Sequence, residues 1–133
     1  MNVPSVFLPG FRISVLDVVV LVIGLSFSVW IAVFEVWFGV VIAFIILHFF
    51  LFCNVFRMAR LLELVWAGFF VALAAVTILT SILTWYVTLS MTLAITCILV
   101  AIQIRKPSYH GIFWKQVNPR LPQWYELNKK KML

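Results

Sequence analysis

Two long apolar runs decide the architecture of this chain. Residues 13–56 read ISVLDVVVLVIGLSFSVWIAVFEVWFGVVIAFIILHFFLFCNVF, and residues 61–104 read LLELVWAGFFVALAAVTILTSILTWYVTLSMTLAITCILVAIQI. Each run is 44 residues long and contains no lysine or arginine. A single helix of that length would measure about 66 Å, roughly twice the thickness of the hydrocarbon core of a bilayer. Two helices joined by a tight turn fit each run, so the sequence predicts four transmembrane helices arranged as two hairpins.

The composition of the whole chain favours a membrane protein. Of its 133 residues, 65% are hydrophobic and 11% are charged, whereas soluble domains carry roughly 45–50% apolar and about 25% charged residues. A soluble fold of this length would leave much apolar surface in water. We therefore predict an all-α integral membrane protein, and we exclude an ordinary soluble enzyme, a disordered chain and a secreted disulfide scaffold.

The positions of the charged residues predict how the chain is divided. Residues 1–12 form an N-terminal segment at the membrane interface, residues 13–104 a four-helix transmembrane domain, and residues 105–133 a short basic and aromatic C-terminal tail. The predicted spans are about 14–34, 38–56, 62–79 and 85–104, with turns at 35–39 and 80–84.

The basic residues predict the orientation in the membrane. All ten fall at one end of the predicted spans, and they are Arg12, Arg57, Arg60, Arg105, Lys106, Lys115, Arg120, Lys129, Lys130 and Lys131. The positive-inside rule then places both termini in the cytoplasm, at a bacterial inner membrane or an organelle membrane. The formal net charge of +6 predicts attraction to anionic lipid headgroups rather than binding of nucleic acid.

Small and hydroxyl-bearing residues recur at four-residue steps on three of the predicted helices. Such spacing lets a second helix approach closely, so these residues are candidates for helix packing: Gly24, Ser28, Ala32, Gly68, Ala72, Thr88 and Thr92. Two alternatives remain open. The threonines could line a narrow pore, and the first span could carry an ion or solute path with Asp17 and Glu35 at its mouths.

A second group of candidates is polar or ionisable. His48 is the ionisable residue in the middle of a span, which makes it a functional candidate. Asp17 lies near the start of the first span. The end of the second span, the loop at residues 57–60 and the start of the third span hold Asn54, Arg57, Arg60 and Glu63. An arginine–glutamate pair there could lock the loop, or the arginines could bind the phosphate of a lipid headgroup.

The tail contains more large aromatic residues than solvated tails usually carry. We expect it to pack on the membrane face, on the loop at residues 57–60 or on a partner protein. The candidate partner contacts are Trp114, Arg120, Trp124 and Tyr125. No nucleophile elbow, phosphate loop or metal-ligand spacing occurs in the sequence, so we predict no catalytic residue, cofactor or metal.

These features favour a small accessory, structural or assembly subunit of a larger membrane complex, in contact with lipid and with other subunits or copies of itself. The alternative is a small oligomeric transporter or channel. In span count alone the chain resembles the small multidrug resistance family, which depends on a carboxylate deep in its first span, whereas Asp17 lies near a membrane boundary. A pore-forming lysis protein is a third hypothesis.

Overall fold

The structure, a computed structural model, describes residues 8–132, and every regular element in that range is helical. The elements are α1 (Val15–Phe34), α2 (Val36–Phe50), a π-helical turn (Leu51–Val55), α3 (Arg60–Thr80), α4 (Trp85–Ile104), α5 (Trp114–Val117) and α6 (Leu121–Met132). α1, α2 with its π-helical turn, α3 and α4 are long and apolar enough to cross a membrane. The predictions of an all-α fold and of four such helices are therefore confirmed. Residues 1–7 of the predicted N-terminal segment lie outside the described residues.

The first turn is shorter than the sequence suggested. α2 begins at Val36, so Glu35 alone separates it from α1, whereas the prediction was a turn over residues 35–39. Residues 36–38 contain neither proline nor glycine, and nothing in them prevents a helix from starting. Gly39 therefore lies inside α2, where it serves packing rather than the turn. The second turn agrees more closely, since Ser81 follows α3 in the left-handed conformation and α4 begins at Trp85.

α1 packs mainly against α2, and most of its other side chains are exposed. Ser28 is the one buried residue of α1, and its hydroxyl donates to the Gly39 carbonyl oxygen at 2.5 Å. A Cβ atom on Gly39 would collide with Ala32 and would lie 2.7 Å from the Ser28 carbonyl oxygen. Further from the turn, Gly24 faces the side chain of Ile46. The small residues of α1 thus allow the backbones of α1 and α2 to approach closely.

Aromatic rings join α2 to α3 in the centre of the structure. The buried apolar cluster comprises Phe52, Met58, Leu62, Trp66, Phe70 and Leu99. Two rings stack on Trp66, that of His48 at a centroid distance of 5.0 Å and that of Phe70 at 5.5 Å. Offset stacking of this kind adds about 0.5–1.5 kcal/mol per pair beyond the burial of area.

Hydroxyl groups join α3 to α4. The Trp66 indole N–H donates to Thr96 Oγ1 at 2.9 Å, and the hydroxyls of Thr77 and Thr88 share a hydrogen bond of 2.5 Å. Thr92 bonds back to the Thr88 carbonyl within α4. At the end of the helices near Glu35, the rings of Trp37 and Tyr86 meet edge to face at 4.6 Å, which links α2 to α4.

Candidate functional site

The end of the long helices that carries Arg12, Arg57 and Arg105, hereafter the basic end, is where three separate segments of the chain meet. The π-helical turn at Leu51–Val55 closes α2 there and leaves carbonyl groups for other segments. The Arg12 N–H donates to the Asn54 carbonyl at 3.1 Å, and the Ile112 N–H donates to the Val55 carbonyl at 2.8 Å. One turn therefore binds both the segment before α1 and the segment after α4.

The segment after α4 is fixed by a buried tyrosine and a glycine. Tyr109 is 0% exposed, and its hydroxyl donates to the Ile112 carbonyl at 2.6 Å. Burial raises the pKa of the Tyr109 phenol above its ordinary value. A Cβ atom on Gly111 would lie 2.6 Å from the Phe56 carbonyl oxygen, so only glycine fits against the end of α2. The Gly10 N–H donates to the His110 carbonyl at 2.6 Å, which adds the N-terminal segment to the same assembly.

Arg57 connects the loop after α2 to the N-terminal segment and to the end of α4. Its φ of 47° places it in the left-handed region, which ends the helix. Its guanidinium donates to the Leu8 carbonyl at 2.6 Å, and its own carbonyl accepts from the Gln103 side chain at 3.4 Å. Partial burial, and to a smaller extent the charge of Arg12, lower the pKa of the Arg57 guanidinium. Arg57 is therefore held in place and stands in the field of a second positive charge.

A groove of about 790 Å³ opens between the N-terminal segment, Arg57 and α6. Two guanidinium groups, Arg12 and Arg57, line it together with the polar side chains of Ser108, His110 and Tyr125. Its apolar walls are Leu8, Pro9, Phe11, Ile13, Leu121 and Trp124. No Asp or Glu lines the groove in the described part of the chain. The groove is thus basic and amphipathic, which suits an anionic ligand with an apolar part.

The predicted polar residues separate into different roles. Asp17 accepts hydrogen bonds from the N–H and the hydroxyl of Ser14, both at 2.7 Å, and so forms a capping box at the start of α1. Glu63 accepts a long contact of 3.6 Å from the Cys53 thiol. Within residues 8–129, whose side chains the structure describes, no arginine pairs with Glu63, because Arg57 points to Leu8 and Arg60 is exposed. Asn54 is buried beneath the N-terminal segment.

His48 is enclosed by aromatic rings rather than aimed into a cavity. Its Nδ1 bonds to the Phe44 carbonyl at 2.8 Å, one turn earlier in α2. The ring stacks on Trp66 and meets Phe52 edge to face. Among the described residues, no three His, Cys, Asp or Glu side chains come close enough to hold a metal ion.

The predicted packing residues fall into a covered set and an open pair. Contacts within the chain cover Gly24, Ser28, Ala32, Thr88 and Thr92, as described above. Gly68 and Ala72 face outward from α3, and nothing in the described chain lies within 4 Å of a Cβ atom built on Gly68.

The predicted tail contacts lie around the basic end. Trp124 and Tyr125 are half-buried and line the groove, while Arg120 is exposed beside a neighbouring groove formed with Arg105 and Lys106. The Trp114 ring lies near Gly10 and beneath the Lys115 ammonium group at 5.9 Å.

Several structurally important residues were not among the sequence candidates. Arg12, Gln103 and Gly111 make contacts between segments distant in sequence, Gly39 packs α2 on α1, and Tyr109 fixes the segment after α4. The signal for Gly39 and Gly111 was the scarcity of glycine, since the chain has only five. Comparison with protein-family models, curated proteins and solved structures found no significant match for this chain.

Proposed function

We propose that this protein is a non-catalytic accessory or assembly subunit of a larger membrane complex. The four long helices would cross the membrane as two hairpins, with both termini and the basic end in the cytoplasm. The positive-inside rule supports this orientation, because the basic end carries Arg12, Arg57 and Arg105 while the turns at the other end contain no lysine or arginine.

The observation that carries the proposal is the open face of α3. Gly68 and Ala72 are exposed on this face, beside the exposed side chains of Val65, Phe69 and Val76. Between apolar helices in lipid, close packing over small residues is a main source of association. In α1 the same pattern is occupied by α2, whereas on α3 the described chain supplies no helix to fill it. A helix from another subunit is the partner that this face suits.

The polar groups inside the structure support packing more than transport. Ser28, His48, Thr88, Thr92 and Thr96 are all buried and hydrogen-bonded within the chain. No buried side-chain nitrogen or oxygen among the described residues lacks a partner. A solute path through one copy would need polar groups that are free to exchange partners with the solute. The oligomeric transporter or channel therefore stays as the alternative, with less support.

Affinity purification in mild detergent tests the proposal. We expect the wild-type protein to carry at least one other membrane polypeptide in fixed stoichiometry. Ala72→Leu should lose that polypeptide, because the larger side chain prevents close approach of a second helix beside Gly68. Ala94→Leu is the matched control, since Ala94 is also an exposed alanine in a long helix but lies on α4.

Three outcomes would contradict the proposal. A stable wild-type particle without any other polypeptide removes the accessory role, and a particle containing several copies of this chain favours the transporter or channel. In that second case, ion or solute flux in proteoliposomes that is lost in His48→Ala would establish the alternative. Equal loss of the partner in Ala72→Leu and Ala94→Leu would show that the α3 face is not the contact.

Labelling of single cysteines tests the orientation separately. In a variant with Cys53 and Cys97 replaced by serine, a membrane-impermeant maleimide should label Ile82→Cys in intact cells. Gln116→Cys should be labelled only after permeabilisation. The opposite pattern would reverse the orientation without affecting the role of the α3 face.

A further inference from the structure

The groove at the basic end has walls that the chain holds in place. The Leu8 carbonyl is bonded to Arg57, the Gly10 N–H to the His110 carbonyl and the Arg12 N–H to the Asn54 carbonyl. Leu121, at the start of α6, is 1% exposed and anchors the opposite wall. These bonds join segments that are 42 to 100 residues apart in sequence, so the groove is a feature of the tertiary fold.

The charges that line the groove are of one sign. Arg12 and Arg57 both reach it, and no Asp or Glu is among the described lining residues. The carboxylate of Asp17 lies within electrostatic range of Arg12, but it is outside the groove and bonded to Ser14. The Arg12 guanidinium makes no hydrogen bond to any described residue, so its donors remain for a ligand. Partial burial, and to a smaller extent the charge of Arg12, lower the pKa of Arg57, and an anion bound between the two guanidinium groups would offset both effects. Guanidinium groups bind phosphate oxygens through two parallel hydrogen bonds, which makes phosphate the anion of choice.

The apolar walls of the groove are open at the level where the long helices end. Leu8, Phe11 and Ile13 are 71%, 51% and 52% exposed, and they precede α1 directly. If α1 crosses the membrane, these side chains lie at the boundary between headgroups and acyl chains. Trp124, on the other wall, is a residue type that favours this boundary. A free phosphate would leave these apolar walls without a partner.

We propose that this groove is a specific binding site for one anionic phospholipid, with its phosphate between Arg12 and Arg57 and its acyl chains along Phe11 and Ile13. The volume of about 790 Å³ lies within the range of roughly 300–1,000 Å³ that is usual for small-ligand sites. The inference depends on the membrane placement of α1 but not on the accessory role. Arg60, which the sequence placed beside Arg57 as a lipid contact, is exposed and does not line this groove.

Native mass spectrometry of the full chain in mild detergent tests the site. With added phosphatidylglycerol we expect one retained lipid per chain, and with phosphatidylcholine at the same concentration we expect much weaker retention. Arg12→Gln should lower the affinity for phosphatidylglycerol about tenfold, because it removes a charge-assisted contact. This variant keeps the Arg12 N–H bond to Asn54, so the fold is retained, and circular dichroism and elution volume check that it is.

Two further variants and one competitor complete the experiment. Arg60→Gln is the matched control and should change the affinity by less than about twofold, since an exposed charge outside the groove contributes little. Arg57→Lys keeps the charge but loses the two-pronged geometry, so we expect an intermediate loss. Inorganic phosphate at millimolar concentration should not displace the lipid.

Equal losses in Arg12→Gln and Arg60→Gln would overturn the site and reduce it to general attraction between basic surface and anionic lipid. Equal retention of phosphatidylcholine would also overturn it. Displacement by inorganic phosphate would identify a free phosphate site instead. None of these results affects the α3 face, because Ala72→Leu lies on a different helix and should retain the lipid.

Discussion

Two glycines of this chain sit in similar sequence surroundings and have opposite environments. Gly39 lies in α2 against α1, where a single added carbon would collide with Ala32 and approach the Ser28 carbonyl oxygen. Gly68 lies in α3, and apart from its own helix the described chain has no atom within 4 Å of the place where that carbon would be. Both are glycines within long apolar helices, so hydropathy alone does not distinguish them. The difference is that one close-approach surface is filled by another helix of this chain, whereas the described chain leaves the other uncovered.

Replacing each glycine by alanine should give the largest difference in stability between the two positions. We expect Gly39→Ala to lower the free energy of unfolding by about 2–3 kcal/mol, because α1 must move away from α2 or distort. Gly68→Ala should leave it unchanged or raise it by at most about 1 kcal/mol, because alanine favours the helix and meets nothing. Unfolding of the purified protein in a titration of dodecyl sulfate against mild detergent, followed by tryptophan fluorescence, measures both.

The comparison fails if the two alanine variants unfold together. Equal destabilisation would mean that Gly68 also faces a neighbour, and a neutral Gly39→Ala would mean that α1 is not held closely to α2. Ala43, also in α2, supplies a matched control through Ala43→Gly, which tests the effect of glycine in this helix away from Gly39.

Two threonines of α4 allow a second comparison, with smaller expected effects on the free energy of unfolding. One makes a hydrogen bond between helices and the other makes one within its own helix. Thr96 accepts from the Trp66 indole of α3, whereas Thr92 bonds only to the Thr88 carbonyl of its own helix. Thr96→Val leaves the buried indole N–H without its acceptor, so we expect a loss of about 1–2 kcal/mol. Thr92→Val should cost less than about 0.5 kcal/mol, because the back-bond to the preceding turn adds little to a helix.

The same detergent titration measures the two valine variants. Adding Trp66→Phe to Thr96→Val completes a double-mutant cycle, whose coupling energy should be of order 1 kcal/mol if the hydrogen bond joins α3 to α4. A coupling near zero would show that α3 and α4 are held by apolar packing alone.

The hydroxyl of Ser28 tests what holds α1 to α2 besides close approach. Ser28→Ala removes the hydrogen bond to the Gly39 carbonyl but keeps the small volume. Hydrogen bonds between membrane helices average about 0.6 kcal/mol, so we expect a loss of that size. Ser26→Ala, at an exposed position of the same helix, should have no effect. A loss as large as that of Gly39→Ala would assign the stability of this contact to the hydrogen bond instead.

The sequence predicted the number of long helices and the positions of their ends, because these depend on hydrophobicity and on the length of each apolar run. The absence of lysine and arginine from residues 13–56 and 61–104 predicted the four long helices, because a charge at mid-membrane is costly. Asp17, Glu35 and Arg57 marked the ends of helices, as their charges required. These properties follow from each residue and its neighbours in the chain, without knowledge of which helices touch.

Partner choice was beyond the sequence for a physical reason. Gly24, Gly39 and Gly68 all allow a second helix to pack closely, but a small residue does not determine which helix that is. The docking of residues 109–112 on the end of α2 depends on backbone hydrogen bonds, which any residue except proline can donate. The groove that joins Arg12 to Arg57 depends on that docking, so its two charges became neighbours only in the fold.

The smallest expected effect concerns the segment after α4, where Tyr109 is buried outside the long helices. Because burial raises the pKa of Tyr109, the folded form binds its phenolic proton more tightly than the unfolded form does. The resulting stabilisation is fully present below the ordinary tyrosine pKa of 10.0 and is lost as the pH rises through the folded pKa. Tyr109→Phe removes this dependence and also loses the bond to the Ile112 carbonyl, about 0.5–1 kcal/mol.

Carbon-13 resonances of labelled tyrosine in detergent micelles measure the titration, and Tyr109→Phe assigns the resonance. We expect the Tyr109 midpoint to lie above 10.0, and a midpoint at or below that value would contradict its burial. Hydrogen exchange of the Ile112 amide, compared between wild type and Tyr109→Phe at each pH, reports docking directly, since this amide bonds to the Val55 carbonyl. The difference between the two proteins should shrink as the pH passes the tyrosine midpoint, because ionisation then removes in the wild type the same hydrogen bond that the substitution deletes.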